Sequence, residues 1–143
     1  MSPAAERILA IDYGTRWLGL AWSDPTLTIV AGSRTIDRKE TRTALPTVIR
    51  DIVHEMGVKE IIVGMPYNMD GSTGTKARET LEFIEELKKR LEIPVASWDE
   101  RLTSVRATGE LIRLGRKRHQ KRRVDEMSAS FILQDYLSHI SRS

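Results

Sequence analysis

Residues 8–22 read ILAIDYGTRWLGLAW and decide the fold class of this chain. The apolar run Ile8–Ile11 ends at Asp12, a pattern that is typical of a buried strand. A second apolar run, Trp17–Trp22, follows after Gly14–Arg16, and this spacing is short enough for a hairpin. The stretch therefore predicts two paired strands with an acidic residue at the carboxyl end of the first.

The rest of the chain alternates strands and helices. Apolar spacing and turn residues predict, in order, a strand at 29–36, a helix at 45–56 that Gly57 ends, a strand at 60–65, a helix to about residue 91, a strand at 93–98, a helix at 103–114 and a last helix headed by Asp125. This order, βββαβαβαα, predicts an α/β fold. Its five-stranded mixed sheet is antiparallel first, parallel later and flanked by helices. With 143 residues, we expect one domain over 1–143.

Composition excludes several kinds of protein. The chain has no cysteine, which excludes a disulfide scaffold, a thiolate zinc site and a cysteine nucleophile. Hydrophobic residues make up 40% and charged residues 30%, as in folded soluble proteins. Because the longest apolar run is Ile8–Ile11, we expect no transmembrane helix, no signal peptide, no membrane partner and a cytoplasmic location.

Positive charge is concentrated in one segment, residues 113–123, which read RLGRKRHQKRR. The net charge of the chain is +3, and removing the seven Lys and Arg of this segment leaves −4. Such asymmetry favours a polyanionic partner, although the alternative is a solvated loop. No apolar period occurs in the segment, so we predict a mobile basic loop at 115–123. The candidate nucleic-acid contacts are Arg113, Arg116, Lys117, Arg118, Lys121, Arg122 and Arg123.

Carboxylates fall where a site is expected in such a sheet, outside the carboxyl ends of parallel strands. Asp12 ends the first strand, Asp99 and Glu100 end the fifth, and Asp125 heads the last helix on its apolar stripe. Converging carboxylates repel one another, and a divalent cation removes that repulsion. Oxygen ligands without cysteine or a histidine cluster indicate Mg²⁺ or Mn²⁺.

Each of these residues also has a structural interpretation. Asp12 could be a strand-end acid in a turn, and Asp99 and Glu100 could be surface acids paired with Arg101. Asp125 could be the N-cap of its helix, a role that Asp favours.

Two weaker candidates are polar loops near predicted helix starts. In the loop 66–74, Asn68 and Ser72 could help backbone N–H groups hold a phosphate, or the loop could be only a turn. Thr103 is a further candidate nucleic-acid contact, and its alternative role is a helix cap.

Four motifs are similar to those of the YqgF/RuvX family: IDYGTRWLGLAWSD (11–24), EIIVGMPYNMDGS (60–72), WDERLTS (98–104) and VDEMSASFILQDYL (124–137). Members are described as pre-16S rRNA nucleases or as Holliday junction resolvase-like proteins. The similarity covers nearly the whole chain in the same order. It implies an RNase H-like fold, a bacterial cytoplasmic location and divalent-metal phosphodiester chemistry.

The resemblance also implies roles for the acids. Asp12 matches the acid of the first strand, Glu100 matches the acid of the DER motif with Asp99 beside it, and Asp125 matches the acid before the last helix. We therefore expect Asp12, Glu100 and Asp125 to be catalytic, and all four to hold metal. The family has a Lys shortly before the last acid, where this chain has Arg at 122–123.

The expected function is a metal-dependent nuclease that processes the 5′ end of pre-16S rRNA, a structured RNA. One alternative is a resolvase of branched DNA, which requires a dimer because a junction needs two symmetric cuts. Another is a nucleotide-binding domain of the actin and sugar-kinase type, although such proteins need two lobes. A fourth is a non-catalytic nucleic-acid module. The sequence does not distinguish a monomer from a weak homodimer.

Overall fold

The computed structural model describes residues 6–68, 70–100 and 121–141, and for 121–126 the backbone alone. The predicted helix at 103–114 lies outside the described residues. So do the candidate nucleic-acid contacts Thr103, Arg113, Arg116, Lys117 and Arg118.

The described residues form a five-stranded sheet and three helices. The elements are β1 (Arg7–Tyr13), β2 (Trp17–Ser23), β3 (Val30–Asp37), α1 (Leu45–Met56), β4 (Val58–Met65), α2 (Thr75–Arg90), β5 (Val95–Asp99) and α3 (Lys121–Ser141). The strand order is β3-β2-β1-β4-β5. Strands β1 to β3 pair antiparallel, whereas β4 pairs parallel with both β1 and β5. The predicted mixed sheet and its hairpin are confirmed.

The two faces of the sheet pack against different helices. Because side chains alternate along a strand, Leu9 and Ile11 of β1 face one side and Ile8 and Ala10 face the other. The first side packs on α1 and α2, and its core includes Ile49, Ile52, Val63, Met65, Phe83 and Ile84. The second packs on α3, and its core includes Ile62, Ala129, Ile132, Leu133 and Leu137. A functional residue can therefore be assigned to a face from its position in a strand.

Helix α1 begins and ends at residues that the sequence marks clearly. Pro46 lies in its first turn, where a missing N–H costs nothing. Gly57 adopts a left-handed conformation with φ 67°, and its N–H donates to the carbonyl of Val53. A residue with a Cβ is strained in that conformation, so Gly57 ends the helix and β4 starts at the next residue.

Several predicted boundaries differ from the observed ones, and two of the differences have a clear physical reason. β5 begins at Val95 and not at residue 93, because Pro94 has no N–H to donate to a neighbouring strand. Helix α3 begins at Lys121, so residues 121–123 are helical where a loop was predicted. The prediction followed apolar periodicity, but Lys and Arg are good helix formers without it. None of the described helices is both long and apolar enough to cross a membrane.

Candidate active site

Asp12 is a buried carboxylate on the α3 face of the sheet. It follows Ile8 and Ala10 at the two-residue period of β1, and only 7% of its surface is exposed. Gly19 of β2 is its antiparallel partner. A carboxylate at this depth is stable only with hydrogen-bonding or cationic partners, so the position carries a cost that a surface acid would not.

Glu100 lies directly over the backbone of Gly64 in β4. A Cβ atom placed on Gly64 would be 2.5 Å from Glu100 Oε1 and 2.5 Å from Ile132 Cδ1 of α3. No real Cβ fits at those distances, so glycine is what allows the carboxylate and the helix to approach this strand together. The Glu100 side chain is therefore on the α3 face, as Asp12 is.

The register of the parallel strands brings Asp12 and Glu100 together. Ile11 is paired with Val63, so the next step along both strands places Asp12 beside Gly64. Neighbouring strands are about 4.8 Å apart, and Glu100 occupies the space above Gly64. The two carboxylates thus share one face of the sheet near the carboxyl ends of β1 and β4.

Asp99 is not brought to the same place. It is paired with Met65, whose side chain is in the core beneath α1 and α2. Paired residues of a parallel ladder point to the same face, so Asp99 points away from the face that carries Asp12 and Glu100. Its suggested partner Arg101 lies outside the described residues.

Position 125 lies inside α3 and not at its N-cap. The helix begins four residues earlier, at Lys121. The position is one turn before Ala129, which is fully buried against the sheet. α3 runs antiparallel to β4, because Ile132 meets Gly64 near the end of that strand and Tyr136 meets Glu60 near its start. Position 125 is therefore displaced along the helix toward the carboxyl edge, where Asp12 and Glu100 lie.

A polar and aromatic contact fixes α3 against β4 and β5. The hydroxyl of Tyr136 donates a hydrogen bond to Glu60 Oε1. The ring of Trp98 meets that of Tyr136 edge-on, with 5.3 Å between centroids. Burial, together with the hydrogen bond to Glu60 and its charge, raises the pKa of Tyr136 to about 12. This contact fixes the position of α3 relative to β4, which contains Gly64, and to β5, which Glu100 follows.

The loop that contains Asn68 and Ser72 uses its polar groups internally. The N–H of Asn68 donates to the Ser72 carbonyl at 3.0 Å, and that of Gly71 donates to the Asn68 carbonyl at 2.8 Å. Ser72 donates from its N–H and its hydroxyl to Asp70 Oδ1 at 2.8 and 2.6 Å. These bonds favour the turn interpretation, because the backbone N–H groups of Asn68, Gly71 and Ser72 already have acceptors within the loop.

Hydrogen bonds from the residue that follows β3 hold the turn after β1 in place. The N–H of Arg38 donates to the Arg16 carbonyl at 2.8 Å, and Arg38 Nη1 donates to the Gly14 carbonyl at 2.7 Å. The Arg38 guanidinium also lies over the ring of Tyr13, 4.8 Å from its centroid. The chain that leaves Asp12 is therefore held in one conformation.

The family model for RuvX, described as Holliday junction resolvase, matches residues 6–139. The chain belongs to the RuvX family. A relative from Halothermothrix orenii, named "Putative pre-16S rRNA nuclease", is 44% identical over 134 residues, covering 93% of this chain and 95% of the relative. One of the same name from Acetivibrio thermocellus is 42% identical over 134 residues, covering 92% and 94%.

The RuvX-family assignment agrees with a solved structure of similar fold. That structure, described as T. thermophilus RuvC in complex with Holliday junction substrate, has a TM-score of 0.58 and 13% identity. The alignment covers 94% of this chain and 96% of that one. The expected RNase H-like fold is thereby confirmed.

The described side chains of this RuvX-family chain include Asp12 and Glu100, two of the carboxylates that the sequence predicts to hold metal. Over 6–68, 70–100 and 127–141, no group of three or more His, Asp or Glu side chains could hold a metal ion. Asp12 and Glu100 offer two carboxylates, which suit Mg²⁺ or Mn²⁺. The side chain of Asp125 lies outside the described residues, so its part in the set stays a prediction.

Two residues at this edge of the sheet were not among the candidates predicted from the sequence. Gly64 interrupts the apolar run of β4, and a glycine inside a strand is a signal of close approach by another group. Arg16 was interpreted only as part of the hairpin turn. The sequence offers no signal that its side chain stacks on Trp17 and bonds to Asp37, since that depends on how β2 and β3 pair.

Proposed function

We propose that this chain is a divalent-metal-dependent nuclease that processes the 5′ end of pre-16S rRNA. The observation that carries the proposal is the convergence of Asp12 and Glu100 over Gly64, on one face at the carboxyl ends of two parallel strands. Membership of the RuvX family and the names of the relatives support a nuclease and an rRNA substrate.

Asp12 and Glu100, joined by Asp125 from α3, would hold Mg²⁺ or Mn²⁺. When bound, such ions supply a water nucleophile at neutral pH and stabilise the leaving oxygen of a phosphodiester. The chain's own contribution is placement. Asp12 is held in place by its burial in the sheet. Gly64 leaves the space that Glu100 occupies. The hydrogen bond of Tyr136 to Glu60 fixes α3 relative to β4.

The substrate would be held outside this site by the basic segment 113–123, in which no acid offsets the seven cations. Lys121, Arg122 and Arg123 lie at the start of α3, on the side toward the carboxyl edge of the sheet. Phosphate contacts of this kind position a nucleic acid without reading its sequence. We expect a cytoplasmic protein that acts as a monomer or weak homodimer.

The decisive experiment compares pre-16S rRNA with a synthetic four-way DNA junction, each with Mg²⁺, Mn²⁺ or EDTA. We expect cleavage of the RNA only with metal. Asp12→Asn keeps the shape but removes the charge, so cleavage should fall at least about 100-fold, since metal stabilisation of a transition state amounts to several kcal/mol. Asp51→Asn, at an exposed position on α1, is the matched control and should cleave normally.

Asp125→Asn in the same assay tests the third acid. We expect a similar loss of cleavage and a smaller rise of the melting temperature on adding Mn²⁺, because stabilisation by a ligand follows its affinity for the folded state. Glu126→Gln, about 100° around the helix, is its control. Wild-type cleavage by Asp12→Asn would contradict the proposed site, and cleavage of the junction alone would assign the chain to branched DNA.

A further inference from the structure

Arg16 and Trp17 stand on the same face of the sheet as Asp12. Gly19 is the pairing partner of Asp12, and Trp17 precedes Gly19 by two residues, so its side chain points to the same face. Because β2 runs antiparallel to β1, Trp17 is about 7 Å farther toward the carboxyl edge than Gly19. The ring is therefore on the face that carries Asp12, one strand over and farther toward the carboxyl edge.

The guanidinium of Arg16 is stacked on that ring and anchored from the side. Its Cζ atom is 4.7 Å from the centroid of the Trp17 ring. Its Nη2 donates to Asp37 Oδ2 at 3.4 Å, across the β2–β3 pair. Half of the Arg16 side chain, 51%, remains exposed. An arginine carries five N–H donors in a fixed fork, so one bond to Asp37 leaves most of the fork facing solvent.

The backbone beneath Arg16 is held rigid before any ligand arrives. The Arg16 carbonyl accepts from the N–H of Arg38, and Asp37 also accepts from the N–H of Lys39 at 3.0 Å. A planar fork that is already oriented loses little conformational freedom when it binds. Such pre-orientation of the guanidinium is a property of binding sites, whereas an arginine that serves only solubility does not need a fixed backbone or a fixed side-chain orientation.

We propose that Arg16 and Trp17 form a subsite for one nucleotide of an unpaired RNA strand, adjoining the candidate active site. Arg16 donates to the phosphate, and the aromatic ring with the guanidinium plane on it supports the base. Unpaired nucleotides are recognised by stacking on aromatic rings and guanidinium planes, combined with charge-assisted bonds to phosphate. The cation also offsets the repulsion that Asp12 and Glu100 exert on a polyanion.

The place of this subsite next to the cleaved bond rests on the proposed function, but its binding can be tested without cleavage. We would measure the affinity of the full chain for a single-stranded oligoribonucleotide in EDTA, over a range of salt concentrations. Arg16→Gln should weaken binding about tenfold through loss of charge-assisted bonds, and reduce the salt slope by about 0.7, the value for one contact on a single strand. Arg16→Lys should keep the slope yet lose affinity, because an ammonium neither forks nor stacks as arginine does.

Arg50 provides the matched control. Its side chain is 52% exposed and lies 4.0 Å from a carboxylate of Asp51, so its setting resembles that of Arg16. It belongs to α1, which covers the opposite face of the sheet. Arg50→Gln should leave affinity and salt slope unchanged. Equal behaviour of Arg16→Gln and Arg50→Gln would overturn the subsite.

Tryptophan fluorescence gives a second measurement should Arg16→Gln fold poorly. RNA binding should quench the wild-type emission, and Trp17→Phe should lose most of that change. Trp22→Phe should keep it, because Trp22 is at the other end of β2. Full quenching in Trp17→Phe would refute the subsite. Normal RNA binding by wild type without metal-dependent cleavage would instead contradict the proposed function alone.

Discussion

Gly64 is the residue that lets a carboxylate and a helix share the surface of β4. Its missing side chain leaves room for Glu100 Oε1 and for Ile132 Cδ1, each 2.5 Å from where a Cβ would stand. Ile132 belongs to a dense core and cannot move freely, so the carboxylate is the group that would yield. A methyl group at position 64 would therefore displace the Glu100 carboxylate more readily than it would displace Ile132.

Gly64→Ala should lower metal-dependent cleavage by at least about tenfold and destabilise the fold by roughly 1–3 kcal/mol, the usual cost of an overpacked core. Cleavage of pre-16S rRNA and the free energy of unfolding are the two measurements. Gly74→Ala is the control, because a Cβ atom at position 74 would be 3.5 Å from its nearest neighbour, Asn68 Nδ2, which is an ordinary van der Waals contact. Unchanged cleavage in Gly64→Ala would show that Glu100 needs no such space.

At the scale of the elements, the attachment of α3 decides how the candidate site closes. Ala129, Ile132 and Leu133 are fully buried on the sheet. One turn later, Tyr136 bonds to Glu60 and meets the ring of Trp98. The buried apolar residues hold α3 on the sheet, and the hydrogen bond between Tyr136 and Glu60 fixes the position of the helix along β4.

Tyr136→Phe keeps the ring and removes the hydroxyl, so we expect a loss of about 1–2 kcal/mol of stability at neutral pH. The pKa of Tyr136 is raised by burial and by Glu60 to about 12, so the hydroxyl contributes fully below the ordinary value near 10 and its contribution is lost as pH rises through 12. The difference in unfolding free energy between wild type and variant should therefore narrow between about pH 10 and 12. A constant difference across that range would contradict the role of the hydroxyl.

Sequence patterns predicted the elements better than they predicted the faces. Apolar runs were enough for the β1–β2 hairpin, and Gly57 marked the end of α1 because only its left-handed backbone allows that turn. Alternation along the chain places Asp99 and Glu100 on opposite faces, but which of the two shares a face with Asp12 could not be predicted, because that depends on the strand register. The start of α3 was missed because its first three residues, Lys121, Arg122 and Arg123, are all charged and give no apolar period.

At the scale of the whole molecule, charge is divided between one basic segment and a body of net charge −4. The acids of the body include the buried Asp12, which faces the space where phosphates would lie. We therefore expect binding of a polyanion to depend on the cations of segment 113–123, and its strength to vary steeply with salt.

Replacing Arg116, Lys117 and Arg118 by Ala should weaken RNA binding and reduce the salt slope by about 0.7 for each lost contact, or about 2 in all. The cleavage rate at saturating RNA should change little, because the segment positions substrate and takes no part in bond cleavage. The control replaces Lys88, Lys89 and Arg90, three exposed cations at the end of α2 that pair with Glu85 and Glu86. If both triple variants had the same salt slope, segment 113–123 would not be part of the RNA-binding surface.

The antiparallel course of α3 over β4 also has a consequence for synthesis on the ribosome. Asp12 emerges early, Glu100 follows 88 positions later, and Asp125 comes 25 positions after that. Among the described helices, α3 alone packs on the face that bears Ile8, Ala10 and Asp12, so the other described helices leave that face uncovered until α3 docks. We therefore expect a nascent chain to carry Asp12 long before the candidate site is complete, and RNA cleavage to become possible only after translation has passed α3.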